Sequence, residues 1–316
     1  MIVTLTPNPS LDRALDVDRL EVGEVNRAHA AHVHPGGKGI NVSRVLARQG
    51  VETRAVLPVG GADGDYLVRL LHEHHVPAVP VPIAGDTRTN LTLVDSRGTT
   101  TKVNAPGPQL SAAEVDALLN AVEEQLVSRP AALVAAGSLP AGAGESFFVR
   151  LAGLAARYSV PLVLDTSGTA FTRAVRAGGL CLVKPNDEEL ADLVGRELTT
   201  VGDVVGAARE VMAAGTSAVL VSLGAHGALL VLAEGTWWAG GPALVPLSTV
   251  GAGDTTLAGY LGATGTPGER LRAAVAWGRA AVMMPGTAVP DPADVDVDAV
   301  RVVQDPDPRL ALKELT

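Results

Sequence analysis

Only one cysteine, Cys181, occurs in the 316 residues, so an internal disulfide is excluded. Its position in the apolar run Leu180 to Val183 predicts a buried structural thiol rather than a reactive one. Aromatic residues are scarce at 3% although 47% of the chain is apolar, so the interior has to be built from Val, Leu and Ala packed between many glycines. That composition favours an α/β layer architecture. Positive charge is in deficit, and a formal net charge of −9 argues against nucleic acid or an anionic membrane as partner. Any polyanionic ligand is then met by local basic groups. A membrane span is also lacking: Val211 to Ala233 is long and uncharged apart from His226, but Ser222, Gly224 and Gly227 break it into the strand-length pieces Ala218–Val221 and Ala228–Leu232. The chain opens directly as a strand with no secretory pattern, and the expected location is a reducing cytoplasm. No period of repeat length stands out. Neither Gly-x-x-x-x-Gly-Lys-Ser/Thr nor a Gly-x-Gly-x-x-Gly after the first strand occurs, so a P-loop enzyme is excluded and a dinucleotide fold loses its best support.

What is present is alternation. Ile2–Leu5, Thr53–Pro58, Ala131–Ala135, Pro161–Leu164, Leu180–Val183 and Ala218–Val221 read as buried strands. Ile40–Gln49, Asp65–His75, Ser111–Ser128, Ser146–Arg157 and Asp203–Ala214 read as helices between them, and Ser111-Ala-Ala-Glu114 fits a capping box. The pattern predicts an α/β fold with a mostly parallel central sheet and helices on both faces. Two regions depart from it: Ala14–Val17 with Arg27–Val33, and Thr89–Val94 with Thr99–Asn104, alternate in polarity and predict a small separate β-sheet. The expected division is therefore a core of residues 1–11, 35–86 and 105–316 and a discontinuous β lid of residues 12–34 and 87–104. Beyond Pro285, Asp and Pro abound. Only Val295–Val302 has a helical pattern there, and the final residues are expected to be surface-bound or loose.

In an open parallel sheet, ligands bind outside the carboxyl ends of the strands. Polar or Gly-rich clusters follow five of the expected strands: Asn8 to Asp12, Gly137-Ser138-Leu-Pro140, Asp165-Thr-Ser-Gly168, Lys184-Pro-Asn186 and Ser222-Leu-Gly-Ala-His-Gly227. Each alone is an ordinary turn; five at one edge mark a site. In Ser248-Thr-Val-Gly-Ala-Gly-Asp254, Gly251 and Gly253 let backbone N–H groups converge, and a helix starting at Ala252 adds its positive end, which together make an anion hole. Asp254 in that first turn is either a base for an attacking hydroxyl or simply an acid favoured by the helix dipole. Lysine is rare: only Lys38, Lys102, Lys184 and Lys313 occur among 25 basic residues. Three of these lie in candidate loops or strands, where a compact ammonium suits a phosphate. Asn186-Asp-Glu-Glu189 opens a helix; Glu189 is either a solvated first-turn acid or a carboxylate ordering Mg²⁺ through water. The histidine groups at 29, 32 and 34 and at 72, 74 and 75 lack a further ligand and carry no assigned role.

Two motifs, Gly36-Gly-Lys-Gly-Ile-Asn-Val-Ser-Arg44 and Ser248-Thr-Val-Gly-Ala-Gly-Asp-Thr255, resemble those of the ribokinase-like (PfkB-type) carbohydrate kinase family, and the likeness covers nearly the whole chain. Thr4-Leu-Thr-Pro-Asn-Pro-Ser-Leu-Asp12 and Thr101-Lys-Val-Asn-Ala-Pro-Gly107 are most similar to its bacterial 1-phosphofructokinase branch. Ser248 stands where kinases of unphosphorylated pentoses commonly have aspartate, and Thr255 where serine is common. The resemblance implies transfer of a phosphoryl group from ATP, with Mg²⁺, to the 6-hydroxyl of fructose 1-phosphate. It implies sugar contacts from Asp12, Gly37, Lys38 and Asn41, and sugar-phosphate contacts from Arg88, Lys102 and Ser138. Lys184, Asn186, Ser222, Gly224 and Gly227 would lie along ATP, Glu189 would help place Mg²⁺, and Asp254 would be the base beside Gly251, Ala252 and Gly253. A homodimer through the lid is a further implication. Tagatose 6-phosphate or fructose 6-phosphate as substrate, and a non-catalytic sugar-phosphate sensor, are the rival readings. A nicotinamide-dependent oxidoreductase lacks its fingerprint.

Overall fold

A computed structural model describes residues 1–315. Its central sheet grows from runs that are apolar on both faces, as burial between two helical layers requires. β1 (Ile2–Leu5), β4 (Thr53–Val59), β5 (Ala78–Pro82), β8 (Ala132–Ala136), β9 (Leu162–Asp165), β10 (Leu182–Val183) and β11 (Val219–Ser222) run parallel. β12 (Ala228–Leu232), β13 (Gly235–Gly240) and β14 (Arg301–Gln304) extend the sheet antiparallel. The ten strands lie in the order β14-β13-β12-β11-β10-β9-β8-β1-β4-β5. The order reverses around β1, which has β4 on one side and β8 on the other, and a crevice opens at such a switch point.

One face of the sheet is covered by α3 (Ala112–Leu126), α4 (Phe147–Arg157), α5 (Gly168–Ala177), α6 (Asp187–Val194) and α7 (Val201–Ala213). Leu118, Leu126, Phe147, Phe148 and Val204 are fully shielded there, and the two phenylalanine rings meet edge to face at 5.5 Å. The other face carries α1 (Lys38–Arg48), α8 (Ala252–Gly262) and α9 (Pro267–Val282), with α2 (Gly61–Glu73) packed beside α1 over β4. The Ser111–Glu114 capping box forms at the start of α3. Val211 to Ala233 divides among α7, β11 and β12, and among the described residues no helix is long and apolar enough to cross a membrane.

A second, four-stranded sheet stands apart from the first: β3 (Ala28–Gly36), β2 (Ser10–Val17), β6 (Arg88–Asp95) and β7 (Thr100–Val103), in that order. Two hairpin-like antiparallel pairs are joined through a parallel β2–β6 contact. A parallel pair needs a long crossover, and here the chain builds α1, β4, α2 and β5 of the core before returning as β6. Strand alternation gives this small sheet two unlike faces: Asp12, His34 and Asn90 share one, while Leu15, Leu91 and Leu93 share the other.

Two expectations are corrected. Cys181 is exposed rather than buried: it lies just before β10, between Leu180 and Leu182, which are buried at 1% and 2% exposure in the core layers on opposite faces of the sheet. Val295–Val302 is not a helix; it follows a short 3-10 turn at Pro292–Asp294 and leads into the edge strand β14 at Arg301. Of the two alternatives for the last residues, those up to 315 take the surface-bound one, with Leu312 N–H donating to Thr199 O at 3.0 Å and Leu315 buried. The helix α9 also escapes the strand-helix reading, although Thr266-Pro-Gly-Glu269 carries both a capping box and a proline at the first helical turn.

Candidate active site

Between the carboxyl edge of the parallel strands and the polar face of the small sheet lies a cleft of about 850 Å³. Among the helices that begin in it, two start behind a glycine of positive φ and carry the central residues. The first, α1, starts at Lys38 behind Gly37, whose φ of 121° excludes most side chains, and has no acidic residue in its first turn. A Cβ on Gly39 would come within 2.8 Å of the Leu5 carbonyl oxygen, so glycine there lets the helix start press against the end of β1. The second, α8, starts behind Gly251, which is left-handed at φ 78°. Both positive helix ends therefore face one space.

Asp254 lies in the first turn of α8, 6% exposed, and accepts a hydrogen bond of 2.8 Å from Asn41 Nδ2 on α1. Burial, reinforced by the nearby Asp165 carboxylate, pushes its pKa up to about 6 against the opposing pull of Lys38, Asn41 and Lys184. A carboxyl so placed changes charge near neutrality, the property a proton acceptor needs. Asp165, at the end of β9, is wholly buried and lies between two ammonium groups: Lys38 Nζ at 2.8 Å from Oδ1 and Lys184 Nζ at 3.0 Å from Oδ2. Desolvation opposes its charge, but Lys184 and Lys38 together hold the Asp165 carboxyl below the usual range. Desolvation likewise opposes the charge on Lys38, and the Asp165 carboxylate outweighs it, keeping the ammonium above its ordinary pKa. A Cβ on Gly253 would lie 3.2 Å from Lys184 Nζ, so the ammonium sits against the first turn of α8.

On the small-sheet side, Asp12 accepts hydrogen bonds from Ser10 Oγ at 2.8 Å and Asn90 Nδ2 at 2.9 Å. Arg88 donates to the carbonyl oxygens of Asn8 at 3.0 Å and Ala105 at 3.2 Å, and Asn8 Nδ2 donates to Ser138 Oγ at 3.2 Å. Thr6, Asn8 and Asn41 line the cleft, and Thr6 Oγ1, Asn8 Oδ1 and Asn41 Oδ1 are buried there without a hydrogen-bond partner. At the far end, Asn186 caps α6 in a reciprocal box: its side chain accepts from Glu189 N–H at 2.6 Å, and Glu189 Oε2 accepts from Asn186 N–H at 3.0 Å. Ser222, Gly224 and Gly227 follow β11, and Leu244, Pro246, Val275 and Val282 form an apolar wall there.

Every residue to which the family resemblance gave a sugar, nucleotide, metal or catalytic contact lines this cleft except Lys102. Lys102 is exposed on the edge strand β7, opposite Thr92, which puts it on the same face as Asn90 and Asp12 but farther out. Sequence reasoning missed Asp165 as a member of the site, although its cluster was flagged; a lone acid after a strand gives no sign that two lysines far apart in sequence converge on it. It also missed Thr6, Asn90 and the apolar wall, half of which belongs to the unforeseen α9. Among the described residues no group of three or more His, Cys, Asp or Glu side chains is disposed to hold a metal ion. Glu189, with one oxygen spent on its cap and with Asp187 and Glu188 beside it on the cleft lining, fits a Mg²⁺ held chiefly by phosphate oxygens and water rather than a protein cage.

A glycine-lined anion hole, a buried acid with raised pKa and converging lysines are the parts of a phosphoryl-transfer site. The family model described as pfkB family carbohydrate kinase matches residues 6–293. The chain belongs to this family. A 1-phosphofructokinase of Bacillus subtilis (strain 168) is 35% identical over 261 residues, 83% of this chain and 84% of the relative. An ATP-dependent 6-phosphofructokinase isozyme 2 of Escherichia coli (strain K12) is 38% identical over 291 residues, 90% of this chain and 94% of the relative. The crystal structure of phosphofructokinase-2 from Escherichia coli in complex with potassium superposes with a TM-score of 0.87 at 37% identity, covering 93% of this chain and 96% of that one. As a pfkB family member the chain is a sugar kinase, which transfers a phosphoryl group to a hydroxyl. The parallel-sheet core with a small second sheet is the ribokinase-like fold.

Proposed function

We propose that this kinase phosphorylates fructose 1-phosphate on its 6-hydroxyl with ATP, giving fructose 1,6-bisphosphate and ADP. Asp254 accepts the hydroxyl proton as O6 bonds to the γ-phosphorus, and the bond from that phosphorus to the bridging oxygen breaks, its electron pair leaving on ADP. The single observation that carries this reading is the buried Asp254 beside the amides of Gly251, Ala252 and Gly253, its pKa raised to about 6. The transition state of phosphoryl transfer is loose, so alignment and fixed positive charge supply most of the catalysis. Asp12, Gly37, Lys38 and Asn41 take the sugar, and Arg88, Ser138 and Lys102 take the phosphate it already bears. Lys184, Asn186, Ser222, Gly224 and Gly227 run along ATP, with the apolar wall against the base. Mg²⁺, held through water by Glu189, would supply charge neutralisation between the phosphates of ATP.

A coupled ADP-release assay over fructose 1-phosphate, fructose 6-phosphate, tagatose 6-phosphate and fructose tests the assignment. The highest kcat/KM is expected for fructose 1-phosphate; a higher value for another sugar moves the assignment to that substrate. Fructose 6-phosphate is the second reading. The Escherichia coli isozyme is as similar as the Bacillus subtilis enzyme, and over more of the chain.

We also propose a homodimer through the small sheet. Leu15, Leu91, Leu93 and Val103 form an apolar strip on the face turned away from Asp12, and Val103 is 58% exposed. A strip of this kind calls for a cover. Leu93→Asp is expected to give a monomer by sedimentation; a native protein that is already monomeric removes the proposal. Both substrates are charged metabolites that do not cross bilayers unaided, and the proposed place of work is the cytoplasm.

A further inference from the structure

The trio Lys38–Asp165–Lys184 joins parts of the cleft that the reading above keeps separate. Lys38 enters from the first residue of α1, on the sugar side, with 37% of its side chain exposed. Lys184 follows β10, on the nucleotide side, with 5% exposed and its ammonium against Gly253. Between them Asp165 has no exposure at all; Oδ1 accepts a hydrogen bond from Lys38 Nζ at 2.8 Å, and Oδ2 meets Lys184 Nζ as an ion pair at 3.0 Å whose angle is not that of a hydrogen bond. A carboxylate removed from water is costly unless it is paired on all sides, and replacing such a group by apolar residues is often no loss to stability. Stability alone is therefore a weak reason for it. Lysine stems are long and flexible, and a positioned ammonium helps a transition state only if it need not be reorganised when charge moves.

We propose that Asp165 is a positioning residue that clamps Lys38 and Lys184 into one unit across the transfer axis, so that the sugar-side and nucleotide-side cations hold a fixed separation before either substrate arrives. This rests on the kinase reading given above and deepens it. The clamp couples the two half-sites: whatever draws on one ammonium changes how much of the shared carboxylate the other feels. Asp165 also adds negative charge near Asp254, so its removal lowers the pH at which Asp254 loses its proton.

Asp165→Asn is the direct test, because it keeps shape and removes charge. Expected are a fall in kcat of roughly 100-fold, higher KM for both substrates, and an acid limb of the kcat–pH profile displaced below that of the native enzyme. A kcat within twofold of native with an unmoved limb overturns the proposal. So does a variant restored to native kcat by raising Mg²⁺, which would make Asp165 a metal ligand instead. Should the variant not fold, Lys38→Met carries the test through calorimetric titration with ATP and no sugar. The clamp predicts ATP binding weakened about fivefold by this change on the sugar side, since Asp165 then falls wholly on Lys184; unchanged ATP affinity overturns it. A native protein that binds ATP but releases no ADP with any sugar phosphate would instead defeat the kinase reading, and the titration would still report on the clamp.

Discussion

The two sheets of this molecule are built from opposite materials. The ten-stranded sheet consists of short Val-, Leu- and Ala-rich runs whose parallel strands are buried almost throughout, whereas β6 of the small sheet is half-buried along its length and β7 is exposed. The difference assigns labour. Strands shielded on both faces fix the positions of their carboxyl ends, and Asp165, Lys184 and Ser222 stand at or just beyond such ends. The small sheet has one polar face over the cleft and a more apolar face turned away, and Leu11 of β2, fully buried beside Ile40 and Leu57, joins it to the core.

Changes that strike the chemistry itself should be the largest. Asp254→Asn is expected to lower kcat about 10³- to 10⁴-fold while ATP and sugar phosphate still bind in calorimetry. Near-normal turnover would remove Asp254 from its role. In the native enzyme kcat should fall with a slope of one proton below about pH 6, because the acid form of Asp254 cannot take a proton. The sign of the stability effect is opposite. A carboxyl whose pKa is raised by folding is destabilising once ionised, above about pH 6, so the asparagine variant should melt no lower than the native protein at pH 8.

A core change should reverse that profile. Phe148 is fully buried against Phe147, and Phe148→Ala is expected to cost about 3–5 kcal/mol in denaturant unfolding. The KM values of whatever folded fraction remains should hardly change; a stable variant with altered KM would blur the division between the sheets.

Changes in the small sheet should be smaller and selective. Arg88→Ala is expected to lower kcat/KM about 10²-fold for a phosphorylated sugar and far less for fructose, since a charged hydrogen-bonding fork is lost only when a phosphate is present. Lys102→Ala, on the exposed outer strand, should raise KM for the phosphosugar by about threefold, in keeping with a solvated charge. Equal effects of Lys102→Ala on phosphorylated and unphosphorylated sugars would strip that lysine of its assignment.

Legibility followed the same division. The buried strands and most helices could be read because apolar runs and capping residues act locally, as at Ser111 and Glu114. The start of α8 could be read because glycine at 251 and 253 before Asp254 marks a helix N-terminus, and the helix does begin at Ala252 behind a left-handed Gly251. What could not be read depended on distance in sequence. Lys38, Asp165 and Lys184 meet only because β1, β9 and β10 bring their ends together, and no local pattern records it. Cys181 departs from its apolar neighbours because it precedes β10, where the chain has not yet entered the buried strand. At Val295–Val302 a helical spacing of apolar residues gave way to acidic and proline-rich flanks, which break a helix before it can nucleate.

The decisive measurement is ADP release by the native protein and its Asp254→Asn variant, side by side, at saturating ATP with fructose 1-phosphate as acceptor. The account predicts brisk turnover in the first and at least a 10³-fold loss in the second, with both substrates still bound. Equal rates in the two proteins would contradict it, because the hydroxyl would then surrender its proton without the buried carboxylate.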